Sequence, residues 1–226
     1  MELTLAEELL LLGMDDKSGE ILLSVSTALP FGLAGALLLD LYIAKKIEIR
    51  NEKIYAIDSS QTGNKLLDEA LGLINVKVEP ENTSFWIKNF NSSIDDLTEK
   101  IITSLVDRGV LKREEKKILW LIPVERFPTQ DPMPEVLSRI AIRRIVLENE
   151  EPDNRTLALL SLIKASNLID ELFLKEERRQ AANIIEDYIK NENIGKVVAD
   201  INNEVTEIIA SSVAGSVAAA SVVGNF

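Results

Sequence analysis

Carboxylates are the side chains most able to do chemistry in this sequence, because it contains neither histidine nor cysteine. Without imidazole and thiol groups, the sequence excludes Ser-His-Asp and Cys-His nucleophiles, disulfides, and the usual zinc and copper ligand sets. The acidic residues include several adjacent pairs, among them Glu7-Glu8, Asp15-Asp16, Asp95-Asp96, Glu114-Glu115 and Glu176-Glu177.

Paired carboxylates can hydrolyse a glycosidic bond or bind Mg²⁺ when the two groups face one another. Adjacent residues on a helix instead point about 100° apart, because a helical turn takes 3.6 residues. We therefore interpret each pair as a solvated edge or a helix cap. An enzyme is thus the minority interpretation at this point, and these residues predict no catalytic residue, no metal site and no cofactor.

Basic residues form three clusters, which are Lys112, Arg113, Lys116 and Lys117; Arg139, Arg143 and Arg144; and Arg178 and Arg179. Arg139 and Arg143 are i, i+4 neighbours, and such a face can grip a phosphate or an anionic lipid headgroup. Pairing with the surplus of acidic residues is the more frequent arrangement. The net charge of −12 argues against nucleic acid, so we predict no nucleic-acid partner.

The elements that must position these residues are predicted to be mostly helices. Thr4 and Glu7 form a capping-box pattern that predicts a helix ending at Gly13. A second helix is predicted from Pro30 to Lys46, followed by a short β-hairpin that turns at Asn51-Glu52. Further helices are predicted over residues 62–71 and 97–108, with one helical turn at residues 85–87.

Two more short strands and four long helices are predicted from the remaining pattern. The strands cover residues 21–25 and 118–122, with a charged turn at residues 112–117. The helices cover residues 134–146, 153–173, 175–190 and 194–222. The segment 154–168 is apolar almost all the way round, which is typical of a central helix. The prediction is one mainly α domain, residues 1–226, built around this helix and the Pro30 helix, with small peripheral hairpins.

Two uncharged stretches, residues 21–39 and 208–226, approach the length of a membrane span. Pro30 interrupts the first, and serines and glycines offset the hydrophobicity of the second, so we predict no transmembrane span. The Ala/Ser-rich segment 206–226 is expected to pack as a helix on another helix or on a second subunit. A cytoplasmic location, with or without peripheral membrane attachment, is the corresponding expectation.

Five segments in order resemble the Golgi phosphoprotein 3 family. They are residues 3–12 (LTLAEELLLL), 32–41 (GLAGALLLDL), 66–71 (LLDEAL), 107–111 (DRGVL) and 155–160 (RTLALL), the last followed by Ala165 and Ser166. The resemblance spans about residues 3 to 205 and implies a mostly helical domain around a central hydrophobic helix. It also implies a non-enzymatic peripheral adaptor, since the eukaryotic members bind phosphatidylinositol 4-phosphate and gather glycosyltransferase tails for vesicle coats.

The family's headgroup pocket is built from a Trp and three Arg residues, and this sequence departs from it. Alignment through the matching motifs places Val25, Ala34, Glu151 and Asn154 at those positions. The substitutions remove the cationic clamp and add a carboxylate that repels phosphate. Arg155 is the remaining guanidinium, and it is the one residue that the resemblance offers for lipid binding.

The resemblance without these pocket residues favours a prokaryotic member that acts as an adaptor and has lost the specific headgroup pocket. An anionic lipid headgroup or a membrane-protein tail is the implied partner. The alternative is a helical scaffold or protein-interaction module that self-associates, as a homo-oligomer, and binds no lipid.

Overall fold

The computed structural model describes residues 2–94, 96–118, 122–190 and 196–222. These residues are mainly helical, which confirms the predicted fold class. The helices are α1 (Leu5–Leu12), α2 (Leu29–Ile43), α3 (Lys65–Asn75), α4 (Thr83–Ser93), α5 (Leu97–Asp107), α6 (Met133–Glu148), α7 (Asn154–Ala165), α8 (Ile169–Leu172), α9 (Arg178–Lys190) and α10 (Lys196–Val222). The strands are β1 (Ile47–Arg50), β2 (Lys53–Ala56), β3 (Glu114–Ile118) and β4 (Ile122–Arg126).

Helix α2 lies at the centre of the core, and every residue from Gly32 to Leu39 is buried. Helices α1, α4, α7 and α10 pack around it. Glycine permits the closest approaches: a Cβ atom on Gly32 would lie 2.1 Å from Ser166 Oγ, and one on Gly35 would lie 2.7 Å from Val205 Cγ2. The predicted pair of central helices is confirmed, because α7 is also buried without a break from Leu157 to Ile163.

The first hairpin matches its prediction. Strands β1 and β2 pair antiparallel, with Ile49 opposite Ile54. Asn51 and Glu52 both have positive φ, at 50° and 63°, as a two-residue turn of this kind requires.

The second hairpin differs from its prediction. Residues 112–117 were expected to form a charged turn, but Glu114–Ile118 is a strand that pairs antiparallel with Ile122–Arg126. In this register Glu114 lies opposite Arg126, and Glu115 lies opposite Glu125. Most of the strand predicted at 118–122 lies outside the described residues.

Two other predictions of secondary structure were wrong. Residues 21–25 form turns rather than a strand. Val25 N–H donates to the Leu22 carbonyl at 3.1 Å, and the β-pairing of this segment is limited to an isolated bridge between Ile21 and Met14. The helix predicted over residues 153–173 is interrupted after Ala165, where Asn167 has φ of 60°. Asparagine tolerates this left-handed conformation better than most residues, and α8 begins at Ile169.

The start of the C-terminal segment belongs to the core. Ile208 and Ile209, which fall in the predicted tail, are buried together with Ile201 and Val205 of the same helix. In the part of the chain that the structure describes, no helix is long and apolar enough to cross a membrane.

Candidate ligand-binding corner around Arg155

The N-terminus of α1 is held by a capping box and by a carboxylate from another helix. Glu7 N–H donates to Thr4 Oγ1 at 3.1 Å, and Thr4 N–H donates to Glu7 Oε2 at 2.8 Å. Asp40 of α2 accepts hydrogen bonds from Leu5 N–H at 3.0 Å and Ala6 N–H at 3.4 Å. A carboxylate at this end of a helix is favourable, because it satisfies unpaired N–H groups and complements the helix dipole.

Burial changes the acid–base behaviour of Asp40. It raises the pKa of this carboxyl to about 7, although the two backbone donors and Arg155 act in the opposite direction. Asp40 therefore exchanges a proton near neutral pH at the junction of α1 and α2.

Arg155 reaches this junction from the first turn of α7. Asp153 caps that helix by accepting a hydrogen bond from Thr156 N–H at 2.7 Å, so Arg155 lies within the capped turn. The guanidinium Nη1 lies 2.8 Å from Glu8 Oε1, and Nε lies 3.5 Å from a Glu2 carboxylate oxygen. Arg155 Nη2 also donates to the Leu3 carbonyl. The guanidinium is thus engaged on several sides by the N-terminal segment.

Glu7 and Glu8 point about 100° apart around α1 and bind different arginines. The pKa of Glu8 is raised because the residue is buried, and its attraction to Arg155 offsets part of this rise. Glu7 accepts from Arg108 Nη1 at 2.6 Å and from Ser104 Oγ at 2.7 Å. The interpretation of this pair as a solvated edge was wrong: both residues are buried, and only the capping role of Glu7 is confirmed.

The four positions aligned with the family's headgroup pocket divide into two buried and two exposed residues. Val25 and Ala34 have no exposed surface and belong to the core. Glu151 and Asn154 are exposed at the start of α7. Arg155, which follows Asn154, places its guanidinium at the junction of α1 and α2. It contacts acidic side chains and a backbone carbonyl there.

A sequence model of the family described as Golgi phosphoprotein 3 (GPP34) matches residues 5–208 of the chain. The chain belongs to the Golgi phosphoprotein 3 family. It is also 29% identical over 205 residues to vacuolar protein sorting-associated protein 74 of Eremothecium gossypii. That alignment covers 75% of this chain and 61% of the relative, so the chain spans about three fifths of the curated relative's length. The family resemblance found in the sequence is confirmed.

The arginines of α6 in this GPP34 chain pair with acidic residues, as interpreted from the sequence. Arg139 Nε lies 2.6 Å from Glu135 Oε1, and Arg143 Nη2 lies 2.9 Å from Glu177 Oε1. The Glu177 contact lowers the carboxyl's pKa and raises that of Arg143. The face is therefore already neutralised by the protein itself.

Asp16 and Glu135 form a carboxyl–carboxyl contact that sequence reasoning missed. The Asp16 carboxyl hydrogen-bonds to Glu135, which lies buried at the start of α6. Burial and this contact raise the pKa of Glu135 to about 7, against the opposing effect of Arg139. The two residues are 119 positions apart, so local spacing carries no signal for their meeting.

The GPP34 chain also has a cavity of about 530 Å³ between the start of α3 and the outer face of α5. Lys100 and Glu69 bridge its two walls, with Nζ 2.7 Å from Oε1. Leu66 and Thr103 are among the residues that line it. Among the described residues, no three carboxylates come together as a set that could hold a metal ion.

Proposed function

We propose that this chain is a non-enzymatic adaptor that binds a protein or membrane-bound partner and has lost the specific headgroup pocket for phosphatidylinositol 4-phosphate. Membership of the Golgi phosphoprotein 3 family supports the adaptor role. The name of the relative from Eremothecium gossypii places that protein in vacuolar protein sorting, which favours a role of the same kind here. We further propose one domain over residues 1–226, located in the cytoplasm or on a membrane surface.

The contacts that Arg155 makes within the protein are the main observation that supports the proposed loss of the headgroup pocket. Its guanidinium contacts Glu8, Glu2 and the Leu3 carbonyl, so a phosphate would have to displace three partners to reach it. Glu151 adds a negative charge near the same helix start, and Val25 and Ala34 are closed into the core. A phosphomonoester needs several convergent cations for tight binding, and these positions do not supply them.

Two observations favour a binding role over an enzymatic one. The facing carboxylates Asp16 and Glu135 resemble a catalytic pair in type, but Glu135 is buried and paired with Arg139. Neither residue lines the cavities of about 530, 350 and 270 Å³. Of the two residues only Asp16 is exposed to solvent, and the buried Glu135 carboxyl is not placed for direct contact with a substrate.

Vesicle flotation tests the loss of headgroup specificity. The chain is mixed with neutral vesicles, with vesicles containing phosphatidylserine, and with vesicles containing phosphatidylinositol 4-phosphate at equal total charge. We expect equal recruitment to the two anionic preparations. Recruitment that is selective for phosphatidylinositol 4-phosphate, and that Arg155→Gln abolishes, would overturn the proposal.

The alternative function is a self-associating scaffold that acts through its C-terminal tail. Because Ile208 and Ile209 are buried, deletion of residues 206–226 would disturb the core as well as the tail. A deletion of residues 212–226 is the sharper test. A fall in mass by light scattering, with unchanged thermal stability, would favour the scaffold.

A further inference from the structure

The cavity between α3 and α5 is not lined by the positions that align with the family's headgroup pocket. Its volume of about 530 Å³ falls within the range of sites that hold small molecules. Residues 63–66, at the start of α3, form one wall, and the outer face of α5 forms the other. Val25, Ala34, Glu151 and Asn154 are not among the lining residues. A ligand in this cavity would therefore be different from a lipid headgroup bound at those four positions.

Most of the charged side chains in the cavity walls already have a partner within the protein. The pairs are Lys100 with Glu69, Glu99 with Arg113, and Arg108 with Glu7, at nitrogen–oxygen distances of 2.7, 3.0 and 2.6 Å. Lys65 and Asp107 also line the cavity, and neither side chain has a partner in the part of the chain that the structure describes. Both side chains are exposed. They are therefore the positive and the negative group that the cavity offers to a ligand.

Each of these two charges has the same sign as the helix end that carries it. Lys65 is the first residue of α3, where the helix dipole is positive. Asp107 is the last residue of α5, where the dipole is negative. Both charges are thus placed against the dipole, which is unfavourable in the free protein and which a ligand with the opposite charges would relieve. The cavity has one positive wall and one negative wall.

Apolar groups line the cavity next to both charges. Leu66 follows Lys65 in the first wall and is half-buried. Thr103 lies one helical turn before Asp107 in the second wall, is half-buried, and contributes a methyl and a hydroxyl group. The aliphatic part of the Lys100 side chain adds to this surface. The cavity therefore suits a ligand that has an apolar body and opposite charges at its two ends.

We propose that the cavity between α3 and α5 binds a short peptide of two or three residues with free termini. The terminal carboxylate lies against Lys65 and the start of α3, and the terminal ammonium lies against Asp107 and the end of α5. An apolar side chain of the peptide packs on Leu66. This binding site goes beyond the proposed adaptor function and does not depend on it.

Other classes of small ligand match the cavity less well. Inorganic phosphate has no group for Asp107, and the carboxylates of Glu69 and Glu99 disfavour an anion. A diamine meets the opposite problem at Lys65. A single amino acid carries both charges on one carbon atom, whereas a di- or tripeptide separates them by about 7–11 Å. A separation is needed because the two free charges lie on different helices, in different walls of the cavity.

Isothermal titration calorimetry with the tripeptide alanyl-leucyl-alanine tests the site. We expect a dissociation constant on the order of 100 μM, as for a ligand of about 20 non-hydrogen atoms. The N-acetylated and the C-amidated tripeptide should each bind about fivefold more weakly, because each lacks one of the two terminal charges. Free leucine and inorganic phosphate should not bind measurably at the same concentrations.

Two variants show which terminus each charge recognises. Lys65→Gln should bind the free tripeptide about fivefold more weakly than the wild type, and it should no longer distinguish the free from the amidated form. Asp107→Asn should have the same effect with the acetylated form. Lys88→Gln is the matched control, because Lys88 is exposed on α4 and does not line the cavity.

The melting temperature separates a loss of binding from a loss of fold. Lys65→Gln and Asp107→Asn each remove a charge that opposes a helix dipole, so neither variant should melt below the wild type. Lys88→Gln should bind all three forms of the tripeptide as the wild type does.

Three results would overturn the proposal. They are no binding of the free tripeptide at concentrations up to about 5 mM, equal binding of the free and the capped tripeptides by the wild type, and wild-type binding by both Lys65→Gln and Asp107→Asn. Binding of phosphate that Lys65→Gln abolishes would assign the cavity to an anion instead. Vesicle flotation uses neither the tripeptide nor these variants, so its result on phosphatidylinositol 4-phosphate stays separate.

Discussion

Arg155 Nη1 lies 2.8 Å from Glu8 Oε1, and this contact joins α7 to α1 across the N-terminal segment. Both partners are mostly removed from solvent, with 25% and 11% of their side-chain surface exposed. The guanidinium is held as a structural brace, because it satisfies a buried carboxylate and the Leu3 carbonyl together. Arg155 therefore has a structural role that does not depend on a bound headgroup.

Arg155→Gln should lower the free energy of unfolding by about 2–3 kcal/mol, because it leaves Glu8 buried without its cation. Urea denaturation followed by circular dichroism measures this loss. Arg50→Gln is the matched control, since the Arg50 side chain also pairs with a glutamate, Glu48, but is 66% exposed. It should change stability by less than about 1 kcal/mol. Equal losses of stability in the two variants would contradict a structural role for Arg155.

Glu135→Gln should change the pH dependence of stability. The folded-state pKa of Glu135 lies near 7, above its ordinary value of 4.5. The protonated form therefore favours folding, and its contribution is full below pH 4.5 and is lost as the pH rises through 7. Because of Glu135, we expect the free energy of unfolding of the wild type to fall by on the order of 2 kcal/mol between these pH values. Glu135→Gln should abolish this fall.

The readout is the melting temperature at a series of pH values from 4.5 to 8. The wild type should also fall in stability across this window because Asp40 and Glu8 have raised pKa values. Asp15→Asn provides the contrast, because hydrogen bonds from Ser18 lower the pKa of Asp15 below its ordinary 3.8, so its contribution is constant above pH 4.5 and this variant should keep a profile parallel to the wild type. A Glu135→Gln profile parallel to the wild type would contradict the raised pKa.

Gly32→Ala should destabilise the protein by about 2–4 kcal/mol, because its Cβ atom would meet Ser166 Oγ at 2.1 Å where α2 crosses the end of α7. Ser166 is fully buried and its hydroxyl has no hydrogen-bond partner, so Ser166→Ala alone should be neutral or stabilising. The double variant should recover about half of the loss, since it removes the closest atom and leaves Leu9 Cδ2 at 3.1 Å.

Gly72→Ala is the control for this cycle. Gly72 lies within α3, and a Cβ atom there would have nothing within 4 Å. Replacing glycine by alanine in an open helix position should stabilise by about 0.5–1 kcal/mol. Additive effects of Gly32→Ala and Ser166→Ala in thermal denaturation would contradict the predicted close contact.

Local patterns in the sequence were enough to predict most of the helices and to recognise the family. Three features could be predicted because each depends on residues that are close together in the sequence. They are the capping box at Thr4 and Glu7, the positive-φ turn at Asn51-Glu52 and the apolar character of α7 on all sides. The absence of histidine and cysteine likewise restricted the chemistry before any fold was known. The strand Glu114–Ile118 was missed because its charged residues show no apolar alternation.

Tertiary structure alone decided which charges are buried and which apolar face is open. Glu8 meets Arg155, and Asp16 meets Glu135, across more than a hundred residues of chain. Helical spacing also cannot say which of two apolar faces of α6 turns toward the core, because both repeat with the same period. Only the packing of α1 and α9 against the face of α6 that carries Ile142 and Ile145 leaves Leu137 and Ile140 in water. Burial is a property of the neighbours that a side chain meets, and distant parts of the chain supply those neighbours.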